Sequence, residues 1–352
     1  MAGVKVAFLY SEVAGYFMSC AAELAKDAEV LIFRWPVNAE APFDLEKFGH
    51  LNVCDRSEFS QEELEQKLHE FNPDVLVCSG WMDKGYVKAA RSFKKKIPVV
   101  LALDNHWNGS LKQRLAAILS PFILKNKFTH AWVPGKPQAE FASKLGFKGN
   151  RLKTNYYCAD SALFDQVFQE TFPSKKSSYP KRFLYVARYV EHKGIFEMWK
   201  AFVQLQEEEP NDWELWCIGT GDEWENRIEH DKIKHFGFVQ PTQLKEYIQQ
   251  TGVYILPSKF EPWGVSVQEF AISGFPLLIS KEVGAKWTYL KDNGFDFESG
   301  SVDEIKKVMK RIMQLSEKEL IELGEKSHKL GMSFTNKMWA NIVISIAEEW
   351  KN

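Results

Sequence analysis

The chain has 352 residues, 45% of them hydrophobic and 26% charged, and a formal net charge of -2. That length is too great for one ordinary hydrophobic core and predicts two domains. The near-balanced charge gives no reason to expect nucleic acid as a partner. With no apolar run long enough to span a bilayer and no leader-like start, a cytoplasmic protein is expected. Cys20, Cys54, Cys78, Cys158 and Cys217 form no Cys-x-x-Cys pair, so they predict reduced, buried thiols rather than a zinc site or a disulfide framework.

Short apolar runs alternate with amphipathic helical patterns. Strands are predicted over residues 4–10, 29–35, 74–79, 98–104 and 130–134, with helices over 15–26, 61–69, 86–94, 111–125 and 137–145 between them. After a polar stretch with two prolines, 171–180, the alternation resumes. Strands follow over 182–187, 213–218, 233–239, 253–257 and 277–280, and helices over 194–207, 242–250 and 266–273. This order implies parallel sheets covered on both faces. The expected architecture is α/β, two doubly wound Rossmann-like domains facing across a cleft. Residues 1–165 would form the N-terminal domain, 166–180 a linker and 181–333 the C-terminal domain. An apolar helix is predicted within 334–352.

In the segment 110–127, Lys112, Arg114, Lys125 and Lys127 surround Leu111, Leu115, Ile118, Leu119, Phe122, Ile123 and Leu124. Such a helix is expected to pack its apolar face on the N-terminal sheet. The alternative is a basic amphipathic helix in peripheral contact with an anionic membrane.

Two stretches carry chemistry. In the first, a predicted strand ends at Pro257, a loop holds Glu261, and a helix begins near Val265 after Gly264. The free N–H groups of Val265 and Ser266 at that helix start suit a phosphate, and Gly264 lets it come close to the backbone. Glu269 lies one turn in. Carboxylates repel phosphate but bind vicinal hydroxyls, so Glu261 and Glu269 beside a phosphate cradle fit a ligand with hydroxyls on both sides of a diphosphate. In the second, Arg188 follows a strand and Lys193 precedes a helix; both cations would sit at the carboxyl edge of the sheet and neutralise a leaving diphosphate. No histidines have metal-ligand spacing, and no metal and no cofactor are expected.

Together these stretches resemble the retaining glycosyltransferase family four, glycosyl transferases group 1, with its GT-B fold. Arg188 and Lys193 match the family's phosphate ligands, and Glu261 and Glu269 match its two glutamates separated by seven residues. Gly219-Thr220-Gly221 is similar to its Gly-x-Gly turn, and Phe236-Gly237-Phe238 to its base-binding strand end. The resemblance covers about 183–300, and it implies that the helix within 334–352 crosses back to the N-terminal domain. It implies that Glu269 holds the ribose and Glu261 the donor sugar. In the N-terminal half it implies that Gly15 approaches the diphosphate and that His106 contacts the donor sugar. The implied activity is retaining transfer of a sugar from a nucleotide-diphosphate donor, a UDP-sugar first and GDP-mannose second, to a carbohydrate or lipid-linked acceptor. The alternatives are a noncatalytic nucleotide-sugar-binding subunit and a GT-B epimerase or hydrolase.

Overall fold

The computed structural model describes residues 3–36 and 45–351. The chain divides into two compact units, residues 1–160 with 334–352, and residues 161–333.

The first unit is built on a seven-stranded sheet. Its elements in order are β1 (Val4–Tyr10), α1 (Gly15–Leu24), β2 (Ala28–Arg34), β3 (Asn52–Asp55), α2 (Gln61–Phe71), β4 (Val75–Ser79) and α3 (Lys84–Phe93). They continue with β5 (Val99–Ala102), α4 (Leu111–Ile123), β6 (His130–Trp132), α5 (Lys136–Lys144) and β7 (Leu152–Lys153). The strand order is β3-β2-β1-β4-β5-β6-β7, all parallel. Val6 to Leu9, Val75 to Cys78 and Val99 to Leu101 are almost fully buried, as strands covered on both faces must be. The C-terminal helix Asn336–Lys351 belongs to this unit. Its Trp339 stacks on Phe8, packs at a tilt against Trp132 and donates from Nε1 to the Tyr156 carbonyl at 2.7 Å. A buried indole that finds an acceptor secures both its apolar area and its N–H. All five cysteines of the chain are buried and free.

Helix α4 departs from expectation. Its apolar stripe is not packed on the sheet: Leu111 is 83% exposed, Ile118 71% and Phe122 78%, and Leu115, Leu119 and Ile123 are exposed as well. The helix docks instead through small and polar residues, and through Leu124 at its C-terminal end, which is buried in the core. Ala116 packs on the core, Ser120 is buried and donates to the Leu145 carbonyl at 2.6 Å, and Gln113 donates to the His106 carbonyl at 2.7 Å.

The second unit starts with α6 (Ser161–Ser177) and continues through β8 (Arg182–Val186), α7 (Ile195–Glu208), β9 (Glu214–Ile218), β10 (Ile233–His235), α8 (Lys245–Gln250) and β11 (Val253–Leu256). Then come α9 (Val265–Ile272), β12 (Leu277–Ser280), α10 (Lys286–Tyr289), β13 (Gly294–Phe297), α11 (Val302–Met313) and α12 (Glu317–Gly331). Its six parallel strands run β10-β9-β8-β11-β12-β13, the same winding as the first unit. The stretch expected to be a linker, 166–180, is mostly helix α6. Phe164, Val167, Thr171, Phe172 and Lys175 recur at helical spacing and are buried, and Phe168 stacks on Phe172 at 4.5 Å. That stripe holds the helix through Pro173, whose missing N–H costs one backbone bond.

Candidate active site

In the second unit the strand order reverses between β8 and β11. Loops leaving the carboxyl ends of two such strands diverge and leave a crevice, the usual ligand site of a doubly wound sheet. The two chemistry-bearing stretches are these two loops, 187–194 after β8 and 257–264 after β11. The Lys259 N–H donates to the His192 carbonyl at 2.7 Å and so ties one to the other. Gly194 closes the first loop at φ +70°, with the ideal position of a Cβ only 2.1 Å from the Pro257 carbonyl oxygen. Only glycine permits that approach.

The charges converge there. Lys193 forms an ion pair with Glu261, and their side chains are only 14% and 13% exposed. Arg188 is exposed and shares a cavity of roughly 530 Å³ with His192, Asp222, Glu223 and Lys259. Burial, with Lys193 and Arg188 nearby, holds the His192 imidazole below its ordinary range, while Glu261 pulls the other way. Both cations and the carboxylate therefore act on one ring. Lys259 bonds Glu197 at 2.7 Å, which raises its ammonium above the usual lysine range, so it is committed to fixing α7 against the loop.

Trp263, buried, anchors the second loop, and the Ala285 N–H donates to its carbonyl at 2.8 Å. Gly264 then turns in the left-handed region, φ +87°, and α9 begins. Its first turn has no side-chain cap and no acidic residue. By contrast, α11 and α12 start with serine caps followed by glutamates. An uncapped helix start presents donors and a positive dipole end to an anion. Ser266 accepts a hydrogen bond from the Tyr254 hydroxyl at 2.8 Å. Burial first, then the nearby Glu269 and Glu261, push that phenol far upward, so both carboxylates lie within electrostatic reach of one buried hydroxyl. Glu269 is half-buried one turn into α9.

Gly219 and Gly221 do something the motif alone does not disclose. Ideal Cβ atoms there would fall 2.0 Å from the Ala187 oxygen and 2.6 Å from the Tyr189 oxygen. The pair is a close-packed seat under the loop that carries Arg188, reinforced by the Tyr189 N–H bonding the Thr220 carbonyl at 2.9 Å. Phe238, past the end of β10, is exposed.

The first unit has its own crevice, at the reversal between β1 and β4. A cavity of roughly 760 Å³ is lined by Ser11, Glu12 and Trp81 from the loops after those strands, by Ser79 at the end of β4, and by Tyr16, Tyr157, Asp104, Asn105 and Asn108. The Tyr157 hydroxyl donates to Asp104 at 3.2 Å, and burial raises its pKa far above the phenol range. His106 is half-buried in the loop after β5 but is not part of this lining; its neighbours Asn105 and Asn108 are. Gly15 opens α1 with its flanking residues Ala14 and Tyr16 on the wall, and an added Cβ there meets nothing within 4 Å. The tyrosines and Trp81 of this cavity were missed in the sequence because they come from segments far apart in the chain. Among the described residues, no group of three or more His, Cys, Asp or Glu side chains is placed to hold a metal ion.

Both units thus carry a parallel doubly wound sheet of one topology, and the whole chain matches solved structures of the GT-B glycosyltransferase fold. A glycosyltransferase from Rickettsia africae superposes with a TM-score of 0.77 at 12% identity, covering 99% of each chain. The Anabaena protein HepE in complex with UDP and glucose gives 0.74 at 15% identity, over 99% of this chain and 100% of that one. An uncharacterised glycosyltransferase of Methanocaldococcus jannaschii is 27% identical over 296 residues, 73% of each chain. Residues 167–330, nearly all of the second unit, match the family model of glycosyl transferases group 1.

Proposed function

We propose that this protein moves a sugar from a nucleotide-diphosphate donor, held by the second unit, to a glycan or lipid-linked acceptor, with retention at the anomeric carbon. The observation that carries this is the assembly at the β8–β11 crevice. Within a group 1 segment, Arg188, the Lys193–Glu261 pair and the uncapped start of α9 followed by Glu269 meet at one edge of the sheet. HepE was crystallised with UDP and glucose and with UDP-glucose, and an Escherichia coli trehalose-6-phosphate protein with UDP-2-fluoro glucose. These support a UDP-sugar as the first donor to try.

The chemistry follows from the charges. As the bond from C1 to the diphosphate oxygen breaks, negative charge grows on the leaving group, and Arg188, Lys193 and the N–H groups of α9 meet it. The acceptor hydroxyl attacks from the face the diphosphate leaves, and its proton passes to a leaving phosphate oxygen. Glu261 bonds a hydroxyl of the donor sugar, and Glu269 the ribose. Without ligand Glu261 neutralises Lys193, so donor phosphate replaces a carboxylate at that ammonium. The first unit's cavity suits the acceptor, since aromatic faces with polar groups around them fit a sugar ring. The test is release of nucleoside diphosphate from UDP-glucose, UDP-galactose, UDP-N-acetylglucosamine and GDP-mannose, with and without candidate acceptors. Turnover of one donor supports the proposal. Donor binding without release from any of them indicates a binding subunit instead.

A further inference from the structure

Helix α4 inverts the usual pattern of a surface helix. Such helices turn large apolar residues inward and charged ones outward. Here Ala116 and Ser120 face the body of the unit, while Leu111, Leu115, Ile118 and Phe122 form a continuous exposed stripe, widened by Leu119 and Ile123. A contiguous apolar patch of this kind on an otherwise ordinary domain marks an interaction surface. The surroundings define the partner. Lys112 and Arg114 lie in the same helix, and Lys125 and Lys127 just beyond its end. Lys94, at the head of the run Lys94-Lys95-Lys96, donates to the Lys125 carbonyl, bringing a further basic segment to the same end. Between Asp104 and Glu140 the sequence has no acidic residue.

We infer that α4 docks the protein on an anionic lipid membrane. Its apolar stripe would enter the headgroup boundary with the helix lying in the plane of the surface, while the lysines and Arg114 engage acidic headgroups. Long basic side chains beside an apolar stripe suit this arrangement, since their stems lie along it and their charges reach the phosphates. A second copy of the chain fits less well. A two-fold interface through this face would bring two basic copies of α4 together, with no acidic residue between Asp104 and Glu140 of either copy to offset them. No helix among the described residues is long and apolar enough to cross a membrane, so the contact is peripheral. Lys112, Gln113 and Ala116 of α4 also line the cavity of the first unit, so a docked helix opens that cavity next to the lipid surface. The inference does not depend on the glycosyl-transfer proposal and is tested without turnover.

The experiment is co-sedimentation of the full chain with phosphatidylcholine vesicles, alone or with about 30% phosphatidylglycerol, at roughly 0.1 M and 1 M salt. The expected result is binding to the anionic vesicles only, lost at high salt. The double substitutions Ile118→Ser with Phe122→Ser, and Lys112→Gln with Arg114→Gln, should each lower partitioning by about tenfold or more. Their melting temperatures should stay near the wild-type value, because Ile118 and Phe122 are exposed and Arg114 gives up only one surface hydrogen bond, to the Gly109 carbonyl at 2.9 Å. Absence of wild-type binding overturns the inference, as does undiminished binding of the Ile118/Phe122 variant. A dimer seen by sedimentation velocity that the same variant abolishes, with no vesicle binding, also overturns it and assigns the face to self-association.

Discussion

Replacing Gly194 by alanine puts a methyl group where the Pro257 carbonyl oxygen already is. The ideal Cβ lies 2.1 Å from that oxygen and 2.9 Å from its carbon, at a backbone φ of +70°. The left-handed conformation costs a non-glycine residue roughly 1–2 kcal/mol. Relieving the overlap means moving backbone in a packed loop, on the order of another 2–3 kcal/mol. A total of about 4 kcal/mol lowers the melting temperature of a unit this size by roughly 10 °C. The displaced segment carries the Lys259 N–H bond to His192 and leads into Glu261, so affinity for UDP should fall with stability. The internal control is Gly15→Ala, where no atom lies within 4 Å of the new methyl. That variant should melt at the wild-type temperature, and an activity loss in it would mark ligand approach at Gly15. Calorimetric melting and UDP titration of both proteins read the contrast. A Gly194→Ala protein that melts within about 2 °C of wild type and binds UDP normally would refute the reasoning, since so small a shift means less than about 1 kcal/mol.

Three further outcomes follow from individual side chains. Arg188→Ala and Lys193→Ala should each cut diphosphate release by about two orders of magnitude, roughly 3 kcal/mol of transition-state stabilisation, in steady-state assays. Lys175 is 1% exposed, its Nζ has no hydrogen-bond partner and sits 3.7 Å from the centre of the Phe275 ring. Lys175→Met should therefore stabilise the second unit by about 1–3 kcal/mol at neutral pH. Because burial holds the amine well below its ordinary pKa, the gain should shrink as pH rises toward 10.5 in a series of thermal melts. His130 is held down to about 4 by burial and by Lys153 and Arg151. Its contribution is complete above the ordinary histidine value of 6.5 and is lost as pH falls from there through 4. A loss on the order of 2 kcal/mol that is absent in His130→Leu should appear in acid titrations of stability.

Much of this was legible in the sequence, for physical reasons. Strands buried on both faces write themselves as apolar runs, so β1, β4, β5, β8, β11 and β12 stand out. The Glu261–Glu269 spacing survives because the helix start between them demands Gly264. What stayed hidden depended on distant partners. The short strands β3 and β7 have little apolar signal of their own and exist through pairing with β2 and β6. Helix α6 was masked by Pro173 and its serines and lysines, although Phe164, Phe168 and Phe172 recur every four residues. The exposed face of α4 stood only as the alternative, because periodicity identifies a stripe but not whether the neighbouring surface covers it. Gly221 also seats the Arg188 loop, a packing role visible only once Tyr189 is in place.

The division of labour between the two glutamates is the centre of the account. The most direct measurement is calorimetric titration of UDP into the wild type, Glu269→Gln and Glu261→Gln. Glu269→Gln should bind UDP more weakly, having lost the ribose contact. Glu261→Gln should bind it as well as or better than the wild type, because the Lys193 ammonium no longer has to leave a carboxylate, while its turnover falls. Loss of UDP affinity in Glu261→Gln together with normal affinity in Glu269→Gln would contradict the placement of the nucleotide at the start of α9.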